Sequence, residues 1–188
     1  MTTVAWDGKI LAADRLANDQ GMPIEARKIF TLQDGRMLAF AGSFNDAYDV
    51  VSWLNGEGAE PGNLEEFSAI LIDFDGLPYL LQGGMQMLPL DPSKPHAIGC
   101  GRDFAIATMH LGGTAVDAVM VASKFDVNTG LGVDAFRIEL LDEVEDEPEE
   151  FTWMQVALER ALKLCGRGVA HKTYKQQSAQ FIARKLEV

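Results

Sequence analysis

Residues 2 and 3 are both threonine and follow the initiator methionine directly; a residue as small as threonine at position 2 permits that methionine to be removed. A threonine exposed in this way carries a nucleophile and a base on one residue. Its α-amine has an ordinary pKa of about 7.7–8.0, close to working pH, so it can take the hydroxyl proton directly or through a water. Metal chemistry has less to stand on. The two cysteines, Cys100 and Cys165, and the three histidines, His96, His110 and His171, lie far apart, and none of them has a second ligand at zinc spacing. No metal and no organic cofactor is expected.

An ordered set of short motifs follows Thr2: Ala12-Ala13-Asp14-Arg15, Lys28-Ile29-Phe30, Phe40-Ala41-Gly42-Ser43 with Asp46, Gly99-Cys100-Gly101, and Asp126-Val127-Asn128-Thr129-Gly130. Taken singly, each has an ordinary structural explanation. Asp14 reads as a turn cap, Lys28 as a solvated edge-strand lysine, Gly42 as the start of a helix capped by Ser43 or Asn45, and Cys100 as a small buried hydrophobe. In this order and spacing, over about residues 2 to 140, the sequence resembles the proteasome β-subunit family. The likeness is strongest to the bacterial branch around HslV, and the acidic character is similar to that of the betaproteobacterial proteasome homologues.

The resemblance implies a threonine protease in which Thr2 is the nucleophile, Lys28 lowers the pKa of its hydroxyl and Asp14 orients Lys28. It implies that the Gly42 N–H holds the oxyanion, and that Asp126 and Thr129 hold the α-amine in position. The chemistry suits each role, because an alkoxide beside an ammonium is stabilised electrostatically and a glycine lets a scissile carbonyl come close. Cys100 stands where the family carries a serine bonded to the α-amine, and a thiol is a weaker donor and acceptor. The pocket for the residue before the scissile bond would draw on Ala17, Ala26, Phe30, Phe40 and Phe44, with Asn18 offering main-chain pairing to an extended peptide. Phe30 and Phe40 read equally well as core residues of adjacent strands.

The elements that must position these residues begin with strands. Thr3 to Trp6 and Ile10 to Ala13 flank Asp7-Gly8, a hairpin signal. A turn centred on Gly8 places Thr2 opposite Asp14, whereas a two-residue Asp7-Gly8 turn places it opposite Ala13. A second pair of strands, Lys28 to Leu32 and Arg36 to Ala41, flanks Gln33-Asp34-Gly35. Ala47, Val50, Val51 and Leu54 then give a helical stripe stopped by Asn55-Gly56. Ala69 to Phe74 and Tyr79 to Gln82 predict another hairpin, and residues 83–95 a loop. The glycines of the 99–101 segment suggest a backbone that approaches something closely. Two short helices separated by Gly112-Gly113 follow, shorter than in typical family members, then a strand over Asp134 to Leu140. Trp153, Val156, Ala157, Ala161 and Leu164 give a third stripe, and Tyr174, Phe181 and Ile182 hint at a fourth. This order excludes an alternating βαβ fold and favours antiparallel sheets covered by helices. The expected class is α+β, a four-layer αββα sandwich of two antiparallel sheets, the N-terminal nucleophile hydrolase fold that the resemblance implies. Residues 1–140 form the core and 141–188 an acidic loop with a helical extension packed on it.

The 188 residues are 47% hydrophobic, enough for a full core. Sixteen Lys and Arg against 28 Asp and Glu leave a net charge of −12, which argues against a nucleic-acid partner. Much of the excess is local, since Asp142 to Glu150 hold seven acids and no base. In a hollow ring such a run would favour cationic peptides. No apolar stretch approaches a membrane span, and two cysteines form no disulfide framework, so a cytoplasmic setting is expected. The resemblance implies stacked homo-oligomeric rings acting on peptides or unfolded proteins, with ring size and any ATPase unfoldase left open. The competing expectations are a ring-forming scaffold without catalysis and a related amidase acting on a small amide.

Overall fold

In the first two strands, consecutive side chains face different layers, and all of them are buried. The computed structural model describes residues 2–140 and 181–186. In β1 (Thr3–Trp6), Val4 and Trp6 point into one apolar cluster while Ala5 points into another. β2 (Ile10–Asp14) does the same with Leu11 and Ala13 against Ile10 and Ala12. A strand covered on both faces belongs in the middle of a layered structure.

The remaining elements are β3 (Leu16–Asp19), β4 (Met22–Glu25), β5 (Ile29–Thr31), β6 (Met37–Ala41), α1 (Phe44–Leu54), β7 (Leu64–Ile72) and β8 (Pro78–Gly83). They are followed by β9 (Gln86–Pro89), β10 (His96–Gly99), α2 (Arg102–His110), α3 (Ala115–Phe125), β11 (Val133–Leu140) and β12 (Phe181–Lys185). One five-stranded sheet runs β10-β1-β2-β11-β12 and a second β5-β6-β7-β8-β9, both antiparallel throughout. Between them lies a core of Val4, Trp6, Leu11, Ala13, Met37, Ala39, Ile70 and Ile72. α2 and α3 cover the first sheet through small residues, Ala105, Ala115 and Ala118 against Ala5, Ala12 and Ala135. α1 covers the second through Ala47, Val50 and Leu54, against Leu38, Phe40, Phe67 and Leu71. The four layers are the αββα sandwich expected.

α1 starts at the N-cap Ser43, whose side chain accepts from the Asn45 N–H, and ends at Asn55. Three features depart from expectation. A two-stranded hairpin, β3–β4, occupies residues to which the sequence pattern assigns no element, turning at Gln20 and Gly21, both with positive φ. β9 lies within the expected 83–95 loop. Phe181 and Ile182, placed on a helical stripe, lie instead in β12, which pairs with β11 and so joins the core sheet. The acidic run, the third stripe and Tyr174 fall outside the described residues.

The register of the first hairpin matches neither expected turn. Trp6 pairs with Leu11 and Val4 with Ala13, which puts Gly8-Lys9 at the corner and Thr3, not Thr2, opposite Asp14. The cause is the Asp7 side chain. Its Oδ1 accepts from the Lys9 and Ile10 N–H groups at 2.9 and 2.7 Å, its Oδ2 accepts from Ala115 N–H at 2.8 Å, and Gly8 takes φ +99°. One carboxylate thus sets the turn and ties it to the start of α3. Asp7→Ala is expected to lose about 1–3 kcal/mol of stability, read as a lower urea midpoint at unchanged m-value. A loss under about 0.5 kcal/mol would show that the turn does not depend on this side chain.

Candidate active site

Thr2 is buried at the start of β1, where two main-chain contacts fix it. Its carbonyl accepts from the Cys100 N–H at 2.8 Å, and the next amide, Thr3 N–H, donates to Asp14 Oδ1 at 2.9 Å. A side chain at position 99 is excluded, because a Cβ on Gly99 would overlap the Thr2 carbonyl and φ there is +91°. The same Cβ would sit 3.4 Å from that of Ala41, so the end of β6 also closes on Thr2. The close backbone approach suggested by the 99–101 glycines is this contact.

Asp14 is fully used. Oδ1 accepts from Thr3 N–H and from the Lys28 ammonium at 2.8 Å, and Oδ2 from the Leu16 and Gly130 N–H groups, each at 3.0 Å. Lys28 is among the largest fully buried side chains, and it also donates to the Leu16 carbonyl at 2.5 Å. Burial pushes the Lys28 pKa below its ordinary value, against the opposing pull of the Asp14 carboxylate. Asp14 and Leu16 take two of the three ammonium protons. The ammonium and the Thr3 N–H share one carboxylate oxygen, so Lys28 lies next to the Thr2–Thr3 peptide.

Thr129 meets Thr3, and Asp126 holds Thr129. Thr129 Oγ1 donates to Asp126 Oδ2 at 2.6 Å and lies 2.6 Å from Thr3 Oγ1, so the Thr3 hydroxyl donates to Thr129. Gly101 permits the approach, since a Cβ there would overlap Thr3 Oγ1 and lie 3.1 Å from Thr129 Oγ1.

Gly42 follows β6 with φ +138°, and a Cβ on it would come within 2.8 Å of the Glu66 carbonyl, so only glycine fits. Cys100 is exposed, not the buried hydrophobe of the alternative reading. Of the pocket residues, Phe40 is fully buried, stacked between Phe30 and Phe67 at 5.7 and 6.2 Å with Phe44 edge-on at 5.0 Å. It faces α1 and offers no surface to a ligand, which corrects its expected role; the core reading holds. Phe44 and Ala26 are half-buried, and Ala17 is 8% exposed. Asn18 lies on the exposed β3–β4 hairpin, where its side chain caps the turn by accepting from Gly21 N–H at 2.6 Å. Sequence reasoning assigned no role to Thr3, to the Gly130 N–H or to the Leu16 carbonyl. The last two act through the main chain, which leaves no mark on side-chain type.

Two antiparallel sheets between helical layers are the αββα fold of the N-terminal nucleophile hydrolases. Within that class the chain has the fold of proteasome β-type subunits. BPH of Thiobacillus denitrificans, solved in complex with epoxomicin, matches it with TM-score 0.54 at 15% identity, over 72% of this chain and 96% of that one. The eukaryotic HslV of Trypanosoma brucei matches with TM-score 0.56 at 19% identity, over 71% of this chain and 96% of that one. No protein-family model and no curated protein matches the sequence. At these identities the likeness establishes the fold.

Proposed function

We propose that this chain is the subunit of a self-compartmentalising, cytoplasmic threonine protease that hydrolyses peptide bonds through Thr2 once Met1 is removed. The observation that carries the reading is the Lys28 ammonium, buried next to the Thr2–Thr3 peptide and held by Asp14 and the Leu16 carbonyl, which among the described residues leaves one proton to spare. That proton is available to the Thr2 hydroxyl. The freed α-amine takes the hydroxyl proton as Oγ1 attacks the scissile carbonyl, and Lys28 stabilises the negative charge on the attacking oxygen. The Gly42 N–H receives the oxyanion. As the tetrahedral intermediate collapses, the α-ammonium returns its proton to the departing amine and a Thr2 ester remains. Water activated by the same α-amine then releases the acid.

Asp126, Thr129 and Thr3 hold the strand that carries Thr2. Cys100 fixes the Thr2 carbonyl through its N–H and leaves its thiol facing solvent beside the site. Ala17, Asn18, Ala26 and Phe44 border the path of an extended peptide. Among the described residues no helix is long and apolar enough to cross a membrane. Assembly into stacked rings would place these sites in a chamber, and the α2–α3 layer offers surface for it. Phe104 and Phe125 stack there at 5.4 Å while 40% and 66% exposed. No ATPase unfoldase is assigned.

A catalytically silent ring subunit is the second reading, and the thiol at position 100 favours it. Intact mass and labelling separate the two. Loss of Met1 and one covalent adduct per chain with a peptide epoxyketone, which needs both the hydroxyl and the free amine, are expected; retained Met1 without labelling would establish the silent subunit.

A further inference from the structure

Asp14 is held on one side by a lysine and on the other by two main-chain amides, Leu16 N–H and Gly130 N–H, that come from different parts of the chain. Something must keep those two amides converging on one oxygen. Arg15 adjoins Leu16 in sequence and bonds the Gly130 segment through its main chain. Its own N–H donates to the Gly130 and Gly132 carbonyls at 3.0 and 3.2 Å, and its carbonyl accepts from Ala26 N–H at 2.8 Å. Its guanidinium spans two carboxylates on separate elements, Glu25 Oε1 on β4 at 3.1 Å and Asp134 Oδ1 on β11 at 2.9 Å.

The side chain lies over Gly132, where a Cβ would come within 3.6 Å of the guanidinium and φ is +93°. Asp134 is only 5% exposed, so its bond to Arg15 is shielded from solvent, whereas Glu25 is 65% exposed and contributes little by charge alone. Lys185 on β12 approaches the same Asp134 oxygen at 3.5 Å.

We propose that Arg15 is a positioning residue for the site: by clamping β4 and β11 with a two-pronged guanidinium, it keeps the Leu16 and Gly130 amides on Asp14 and thereby sets the rotamer of Asp14 that receives Lys28. This rests on the threonine-protease reading for its catalytic consequence but not for its structural one. The fork is the essential feature, because one planar group meets two carboxylates in a fixed geometry and an ammonium meets them as a point charge.

The test compares Arg15→Met and Arg15→Lys with the wild-type full chain. In Arg15→Met, hydrogen exchange at the Leu16 and Gly130 amides is expected to rise about tenfold or more, with no change over residues 37–41 and 69–72. Peptide turnover is expected to lose about tenfold in kcat at unchanged KM, as a small displacement of a positioned group does. Arg15→Lys should fall between the two in both measurements. Exchange that is unchanged, or that rises equally throughout the chain, overturns the proposal, as does selective loosening with kcat intact. If the wild type proves inactive, the protease reading fails, and the exchange measurement alone decides the clamp.

Discussion

Alanine at position 2 is expected to abolish peptide hydrolysis while leaving the fold and any assembly intact. The two can be separated because Thr2 is held by its main chain: the bond to Cys100 N–H uses the Thr2 carbonyl, and the bond to Asp14 uses the Thr3 amide. Both survive truncation of the side chain. What is lost is the hydroxyl, and removing the nucleophile of a concerted catalytic group costs about 10⁴–10⁶ in kcat. Alanine is also small enough for Met1 to be excised, so the same processing is expected of both proteins. Thr2→Ser keeps an attacking oxygen and should retain measurable turnover. Hydrolysis of a short chromogenic peptide, with far-UV circular dichroism and size-exclusion chromatography as controls, reads the outcome. Turnover above about 1% of wild type in Thr2→Ala would assign the activity to another residue, and the accessible Cys100 would be the first to test.

The layers of the fold were legible because burial leaves a period. The stripe Ala47, Val50 and Leu54 specifies α1 and the face it buries. β3 and β4 escaped because exposed residues carry no such period: every residue of β4 is exposed, and Pro23 within it argues against a strand. Register was not legible either. Two expected turns differ by one residue, and the actual corner is selected by the Asp7 carboxylate reaching both the turn and the start of α3, a contact across 108 positions of sequence.

The site was legible as a set of residue types and not as a network. Asp14 and Lys28 lie where the motifs placed them, but their bond depends on a hairpin the sequence did not announce, since Leu16 supplies both a donor to Asp14 and an acceptor for Lys28. Phe40 misled because an aromatic next to a functional glycine has the same composition whether it faces a ligand or a helix. Only strand parity decides: Phe40 shares its face with Leu38, which packs toward α1, while Met37 and Ala39 face the other sheet.

Lys28→Met is expected to remove activity and stability together, and its pH dependence distinguishes the two losses. Methionine fills most of the volume but leaves Asp14 a buried carboxylate without its cation, which costs about 3–5 kcal/mol. Without the ammonium the attacking oxygen loses its electrostatic partner, and turnover should fall about 10²–10³-fold or more. Pairing the change with Asp14→Asn removes the uncompensated charge, so the double variant should recover much of the stability and none of the activity.

In the wild type, burial lowers the Lys28 pKa, so the unfolded chain holds the proton to higher pH than the folded one. Between the lowered value and the ordinary lysine value of about 10.4, unfolding therefore takes up a proton, and the stability contributed at this site rises with pH. Activity runs the opposite way over that window, because the ammonium that assists Thr2 is lost. Turnover should thus climb as the α-amine deprotonates near pH 8 and fall on the alkaline side before an ordinary lysine would titrate. Over the same interval, the difference in urea unfolding free energy between wild type and Lys28→Met should widen. An alkaline limb no lower than about pH 10.4, together with a difference that stays flat, would mean that Lys28 is neither buried as a cation nor coupled to the nucleophile.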